Sequence, residues 1–351
     1  MSIDIANHLH RRVRSVVRLA ATLECTVAEG VDWLVRAVSR TGVLNDQCGL
    51  TAYYKLPLAL ALAAQHEDGR RILGLATQKF RTTEGHFVDR DPGRRLRYCD
   101  LYEDLWLSWG ALALGESSSA RRTFSYVERF FDRRSGGLSS TVDTPPGKRL
   151  FDLRSTALGG LVALELGDAD IAQRAAQFTA HLLLDQPLDP TGFYLVRDAD
   201  GAIVREFAKD RERFFIVRRD QHRPLFYALG LAVCLLARYG LVTGDLSFLP
   251  TARQYVDASL AISMTALSHD YSGKLFWGLC LLDQLTGDGS YAELSARVGR
   301  YLCERQSAEG AWVPSDEQGL QMARSLDLTA EYCVWLQLVA RRDPDAEGLS
   351  R

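Results

Sequence analysis

Apolar positions along this 351-residue chain recur mostly at helical spacing, with little strand-like alternation. Turn signals divide the pattern into hairpins at roughly 52–81, 98–132, 152–186, 223–264 and 274–306. In each hairpin the first helix is rich in small and apolar residues, as at 56–64, 157–166 and 225–237. Such helices are covered on nearly all sides and suit an inner ring. The second is amphipathic, with Arg121, Arg122, Glu128 and Arg129 among apolar partners in one case, and suits an outer ring. Two helices are left, at about 12–40 and about 324–341. The last carries Leu326, Leu328, Ala330, Cys333, Trp335, Leu336 and Val339 and is apolar like an inner helix. Pairing it with the first makes a sixth hairpin. The pattern therefore predicts one all-α domain over 1–351, an (α/α)6 barrel (toroid) closed by its own terminal helices.

One segment departs from this pattern. Residues 192–207 alternate about an Asp200-Gly201 turn, which predicts a β-hairpin, and 213–218 offers a third strand. Nothing else reads as sheet. The insertion at 191–222 is expected over one mouth of the barrel as a candidate lid.

Composition narrows the function classes. A formal net charge of −2 gives no global attraction to nucleic acid or anionic membrane. The longest apolar stretch, 225–237, is too short to span a bilayer. The N-terminus carries His8, His10, Arg11, Arg12 and Arg14 and lacks the apolar run of a secretory signal. Seven scattered cysteines show neither CxxC nor zinc spacing and read as reduced core residues of a cytoplasmic protein. No acidic cluster of the kind that holds magnesium diphosphate, no DxDD acid motif and no nucleotide-binding glycine pattern occurs, nor HExxH or a nucleophile elbow. Neither a metal nor a cofactor is expected.

A repeat carries further information. Tyr301-Leu302 is followed by Gln306 and by Gly310-Ala311-Trp312, and Trp33-Leu34 with Gly42-x-Leu44 matches parts of it at the same spacing. Gly85-x-Phe87 supplies another turn, with Arg81 in place of the glutamine, and Gly137-x-Ser139 and Gly192-x-Tyr194 read as degenerate copies. Glycine lets the chain reverse after an outer helix and the aromatic plugs the gap between hairpins, so these residues are structural. The spacing resembles the QW repeat of terpenoid cyclase-like α/α toroids. The run Thr51-Ala-Tyr-Tyr-Lys-Leu-Pro57, the Gly85-His86-Phe87 turn and Leu326-Asp-Leu-Thr-Ala-Glu-Tyr-Cys-Val-Trp335-Leu are similar to small single-toroid natural-product cyclases of the hetero-Diels-Alderase type. That resemblance implies a pocket that folds a polyunsaturated or quinone-methide-like substrate without a cofactor, lowering the barrier by positioning and hydrogen bonds. It transfers no catalytic residue.

In such toroids the cavity is lined by the N-terminal halves of inner helices and the loops feeding them. This rule selects Tyr53, Tyr54 and Lys55; Asp100, Tyr102, Glu103, Asp104 and Trp106; Asp152 and Arg154; Gln221, His222, Arg223 and Tyr227; Lys274 and Trp277; and Asp327 and Glu331. Asp100, Asp152 and Asp327 also read as helix caps or first-turn acids, and Glu103 and Asp104 as solvent-facing. Lys55 and Glu331 stand on otherwise uncharged helices. Each must be paired or face a polar cavity; Glu331 either pairs, with Lys55, Arg154 and Lys274 as candidate partners, or carries a raised pKa that suits general acid work. His222 sits where the insertion meets the barrel. Lys55, Arg154, His222 and Glu331 are the catalytic candidates; Tyr53, Tyr54, Asp104, Trp106, Gln221, Tyr227, Lys274, Trp277 and Asp327 are the substrate-binding ones. The first functional expectation is a cofactor-independent cyclase or isomerase acting on a hydrophobic intermediate. The alternatives are a carbohydrate-active toroid (glycoside hydrolase or sugar epimerase) and a non-catalytic ligand-binding scaffold.

Overall fold

The computed structural model describes residues 2–39, 44, 48–91, 93, 98–187, 192–218, 221, 225–262, 264–314 and 322–340, with side chains from residue 20 onward except at 264. Among these residues the inner helices are α2 (Leu56–Leu62), α4 (Tyr102–Ala113), α6 (Leu153–Leu166), α9 (Tyr227–Thr243), α11 (Gly273–Thr286) and α13 (Met322–Ala340). The outer helices are α1 (Ser2–Ser39), α3 (His66–Phe80), α5 (Ser117–Glu128), α7 (Ala169–Leu184), α10 (Leu249–Ile262) and α12 (Gly289–Glu304). Each inner helix packs on both inner neighbours, including α13 on α2, and α1 packs on α13. The ring is closed by the terminal helices as the pattern predicts, and the fold is an (α/α)6 toroid.

Sequence explains the two rings. On α6 nearly every residue is buried, whereas α3 buries Ile72, Leu73, Ala76 and Phe80 at helical spacing and leaves its other face wet. Small residues let inner helices approach closely. A Cβ on Gly110 would lie 2.9 Å from the Leu58 nitrogen, and one on Gly230 would lie 2.7 Å from that of Leu275.

The repeat turn seals the joints. At Gly310, φ is +91° and an added Cβ would overlap the Glu29 carbonyl oxygen of α1. Gln306 donates to the carbonyls of Thr26 (2.8 Å) and Gly310 (2.9 Å), and the Trp312 indole donates to the Leu302 carbonyl at 2.7 Å. Equivalent turns occur at Gly85, against Arg122 of α5, and at Gly136, against Arg174 of α7, both with positive φ. The second copy is thus Gly136-x-Leu138, one residue earlier than the sequence reading of Gly137-x-Ser139. In each copy the residue two after the glycine donates its backbone N–H to the next inner helix. Phe87 donates to Asp104 at 2.7 Å, Leu138 to Thr156 at 2.8 Å and Trp312 to Thr329 at 2.9 Å. Gly42 lies outside the described residues.

The insertion differs in register from the expected hairpin. Strand β2 (Gly192–Tyr194) pairs antiparallel with β4 (Ile216–Arg218), while β3 (Val196–Arg197) pairs with β1 (Phe151–Asp152). The Asp198–Ala202 turn forms, but only an Arg197–Ile203 bridge extends it among the described residues. A short helix α8 (Glu212–Phe215) occupies the start of the expected third strand. Because β1 leads directly into α6, the insertion is stitched to the mouth where the inner helices begin.

Candidate active site

Lys55 is the N-cap residue of α2, Lys274 stands in the first turn of α11, and Asp327 and Glu331 lie one turn apart on α13. Helix geometry puts both carboxylates on one face, and ring closure carries that face to the two lysines. Lys55 Nζ lies 2.7 Å from Asp327 Oδ1 and 2.5 Å from Glu331 Oε2, while Lys274 bonds Glu331 Oε1. The Trp335 indole N–H adds a bond to Glu331 at 3.3 Å. Asp327 keeps a quarter of its side chain exposed (25%), so the network opens to the mouth there.

Aromatic faces enclose these charges. Lys55 Nζ is 4.9 Å from the Tyr54 ring centre and 5.6 Å from that of Trp106. Lys274 Nζ is 4.6 Å from Tyr227 and 5.6 Å from Trp335. Trp106, Trp109, Trp277 and Trp335 pack on one another at ring separations of 5.5 to 6.5 Å. These four indoles form a floor, and the charged network rests against two of them, Trp106 and Trp335.

Burial and partners set the charge states. At Glu331 burial opposes ionisation, but Lys274 and Lys55 outweigh it and bring the carboxyl down to about 2. Glu331 is therefore a carboxylate at neutral pH. Lys55 is likewise desolvated, yet Asp327 and Glu331 hold its ammonium pKa above the ordinary value. Lys274 goes the other way, because burial, together with Lys55, lowers it more than Glu331 raises it. Glu103, buried in α4 and accepting from the Thr51 hydroxyl at 3.3 Å, is pushed well above the usual carboxylate range by burial and by Asp104.

Arg154 is fully buried beside this group. Its Nε donates to Asp152, the N-cap of α6, at 3.0 Å, and its Nη2 donates to the Tyr98 carbonyl at 3.3 Å. Burial disfavours its charge, but the field of Cys99 and the Asp152 carboxylate outweigh that and raise its pKa. Next to it a cleft of about 310 Å³ opens between Tyr98, Thr141, Asp210, Arg211 and Phe214.

The structure thus brings together Tyr54, Lys55, Trp106, Tyr227, Lys274, Asp327 and Glu331, with Arg154 alongside and Trp277 beneath. It places three candidates elsewhere. The Asp104 carboxylate is taken by His86 Nδ1 at 3.0 Å and by Phe87 N, holding the repeat turn. The Tyr53 hydroxyl donates to the Leu44 carbonyl and accepts from Lys79, between α2 and α3. Gln221 ties off β4 through Arg218 N and the Ile216 carbonyl. His222 and Arg223 lie outside the described residues. Two residues were missed as site candidates. Trp335, counted as helix core, follows Glu331 by one turn and was detectable from that spacing; Phe214, in the insertion, carried no signal.

No family model and no curated sequence matches the chain. Among solved structures it is similar to a D-mannose isomerase, with TM-score 0.66 and 14% identity over 89% of this chain and 96% of that one. It is also similar to a GH76 α-mannanase of Bacteroides thetaiotaomicron, with TM-score 0.63 and 10% identity over 94% and 97% of the two chains. A third likeness is to the type II terpene cyclase MstE from Scytonema in complex with geranylgeranyl dihydroxybenzoate, with TM-score 0.54 and 15% identity over 92% and 99%. At these identities the likeness establishes the shared toroid. It does not single out the hetero-Diels-Alderase type.

Proposed function

We propose that the chain is a cofactor-independent cyclase or isomerase acting on a hydrophobic, unsaturated substrate that carries a carbonyl or acid oxygen. The observation that carries this reading is the buried Lys55–Glu331–Lys274 network, joined by Asp327 and enclosed by aromatic rings, with both lysines at the starts of inner helices and Glu331 midway along α13. Buried ion pairs add little stability over apolar packing of the same volume, so a purely structural barrel has little use for one. Helix N-termini also add positive potential where oxyanion charge would develop.

In this reading Lys55, held charged by two carboxylates, polarises the substrate oxygen. Lys274, whose hold on its proton burial loosens, and Glu103, whose hold on its proton burial strengthens, are the proton-transfer groups. Glu331 serves as the fixed counter-ion. Tyr54, Trp106, Tyr227 and Trp335 present π faces that fold the unsaturated chain into a reactive conformer. Asp104, Tyr53 and Gln221 have no part in it, and His222 remains a candidate by its sequence position alone.

A second reading rests on a specific feature. Glu103, its carboxyl pushed up by burial, and the salt-bridged Asp327 supply the unlike carboxyl pair that glycoside chemistry uses, and two of the similar structures are a mannose isomerase and a mannanase. Mass spectrometry of products separates the readings. The protein is incubated with conjugated polyene ketones and acids, and in parallel with mannose and mannosides. Polyene products of unchanged mass, lost in Lys274→Met and Glu103→Gln, support the cyclase or isomerase. Turnover of sugars with inert polyenes overturns it.

A further inference from the structure

Helix α1 is longer than its place in the ring requires. It runs over 38 residues, while the other outer helices have 12 to 16 and its inner partner α13 has 19. Its buried positions begin at Leu23, and Ala20, Ala21 and Thr22 are exposed. A single helix cannot fold back on the body it has left. At about 1.5 Å per residue, the segment before Leu23 therefore carries the backbone about 30 Å past the toroid. Outer helices run towards the mouth, so this arm leaves from the opposite end.

The arm has the sequence of a helix that packs on protein. Ala6, Leu9, Val13, Val16 and Ala20 recur at alternating steps of three and four, and the series continues through Leu23, Val27, Gly30 and Leu34, where α1 packs on the body. Residues 1–32 hold no Trp, Tyr or Phe, the rings that anchor interfacial helices in lipid. Before Leu23 stand Arg11, Arg12, Arg14 and Arg18 against Asp4 alone. The formal net charge of −2 thus divides into +3 in the arm and −5 in the rest of the chain.

The end from which the arm leaves has the complementary character. After α4, α6, α9 and α11 the chain turns through Gly115-Glu116, Gly167-Asp168, Gly244-Asp245 and Gly287-Asp288, which sets an acid at each turn. Glu116 is bonded to Arg70, while Asp168, Asp245 and Asp288 form no ion pair among the described residues. Val242 and Leu246 flank Asp245 and are two of the three large apolar side chains left exposed among the described residues. We infer that the arm docks on a second copy of this chain, across the end face opposite the mouth, with its apolar series on Val242 and Leu246 there and its arginines among the Gly-Asp turns. The contact is reciprocal, as a two-fold dimer requires, and it leaves both mouths open.

Sedimentation velocity of the full chain tests this. The wild type sediments as a dimer at micromolar concentration, and added salt weakens it because the contact joins opposite charges. Val13→Glu/Val16→Glu in the arm raises the dimer dissociation constant at least about tenfold and leaves the melting temperature of the toroid unchanged. Val242→Ser/Leu246→Ser does the same from the other side of the contact, which separates docking on the end face from pairing of arm with arm. Arg11→Glu/Arg14→Glu/Arg18→Glu also gives a monomer and removes the salt dependence. A monomeric wild type, or a dimer that survives either the arm variant or the end-face variant, overturns the proposal. So does a wild type that stays monomeric and floats with phosphatidylglycerol vesicles, because the arm then serves a lipid surface.

Discussion

Replacing Glu331 by glutamine keeps the shape of the side chain and removes the one carboxylate that both buried lysines share. In the wild type that carboxyl falls from 4.5 to about 2 on folding, which corresponds to about 3 kcal/mol of stability at neutral pH. The substitution also leaves Lys274 buried with only Lys55 and the more distant Asp327 in its field, and removing one partner of a buried pair costs about 3–5 kcal/mol. The two routes agree. The sign with pH follows from the depressed carboxyl. The contribution is fully present above 4.5 and is lost as pH falls through about 2. Urea denaturation followed by tryptophan emission, on wild type and Glu331→Gln between pH 7 and pH 2, measures it. The gap between the two proteins should be about 3–5 kcal/mol at pH 7 and should shrink steadily below 4.5. Adding Lys274→Met to Glu331→Gln should recover part of the loss, because the stranded ammonium is then gone. A gap under about 1 kcal/mol at pH 7, typical of an exposed pair, or a gap that persists at pH 2, refutes the reasoning.

Other perturbations address the frame. Gly310→Ala forces a side chain into left-handed backbone against the Glu29 carbonyl and should cost more than about 2 kcal/mol in denaturant melts. Gly115→Ala, at φ +80° with open space, should cost about 1. Asp104→Ala strips the acceptor from both His86 and Phe87 N and should cost about 2–3 kcal/mol, with KM unchanged for whatever substrate is identified. Burial pushes the Cys99 thiol up to about 12, so a thiol reagent at pH 8 should modify the exposed Cys25 and reach Cys99 only on unfolding.

The repeat and the insertion show where reading along the chain stops. Gln306 and Trp312 were legible because each keeps one bond within the turn and its flanking helix, to the carbonyls of Gly310 and Leu302, while the reach of Gln306 to Thr26 of α1 was not. The copy at Gly136 was misplaced by one residue because two adjacent glycines stand there, and only the approach of Arg174 selects between them. The strands were placed but mispaired. Val196–Arg197 finds its partner in Phe151–Asp152, a two-residue strand with no alternation to betray it.

Helical spacing, unbroken burial on alternate helices and the apolar last helix were enough to determine a closed ring of six hairpins. Those properties repeat every few residues and each segment carries them whole. Lone charges on apolar helices likewise announced themselves, since an unpaired ion cannot remain in a core. Which charges meet was decided only by closure. Lys55 and Glu331 are separated by nearly the whole chain, and their contact exists because α13 packs against α2. The same closure left Asp104 beneath a turn and turned Glu331 from an acid into a counter-ion, because a carboxyl's state depends on the field of neighbours that sequence spacing does not contain.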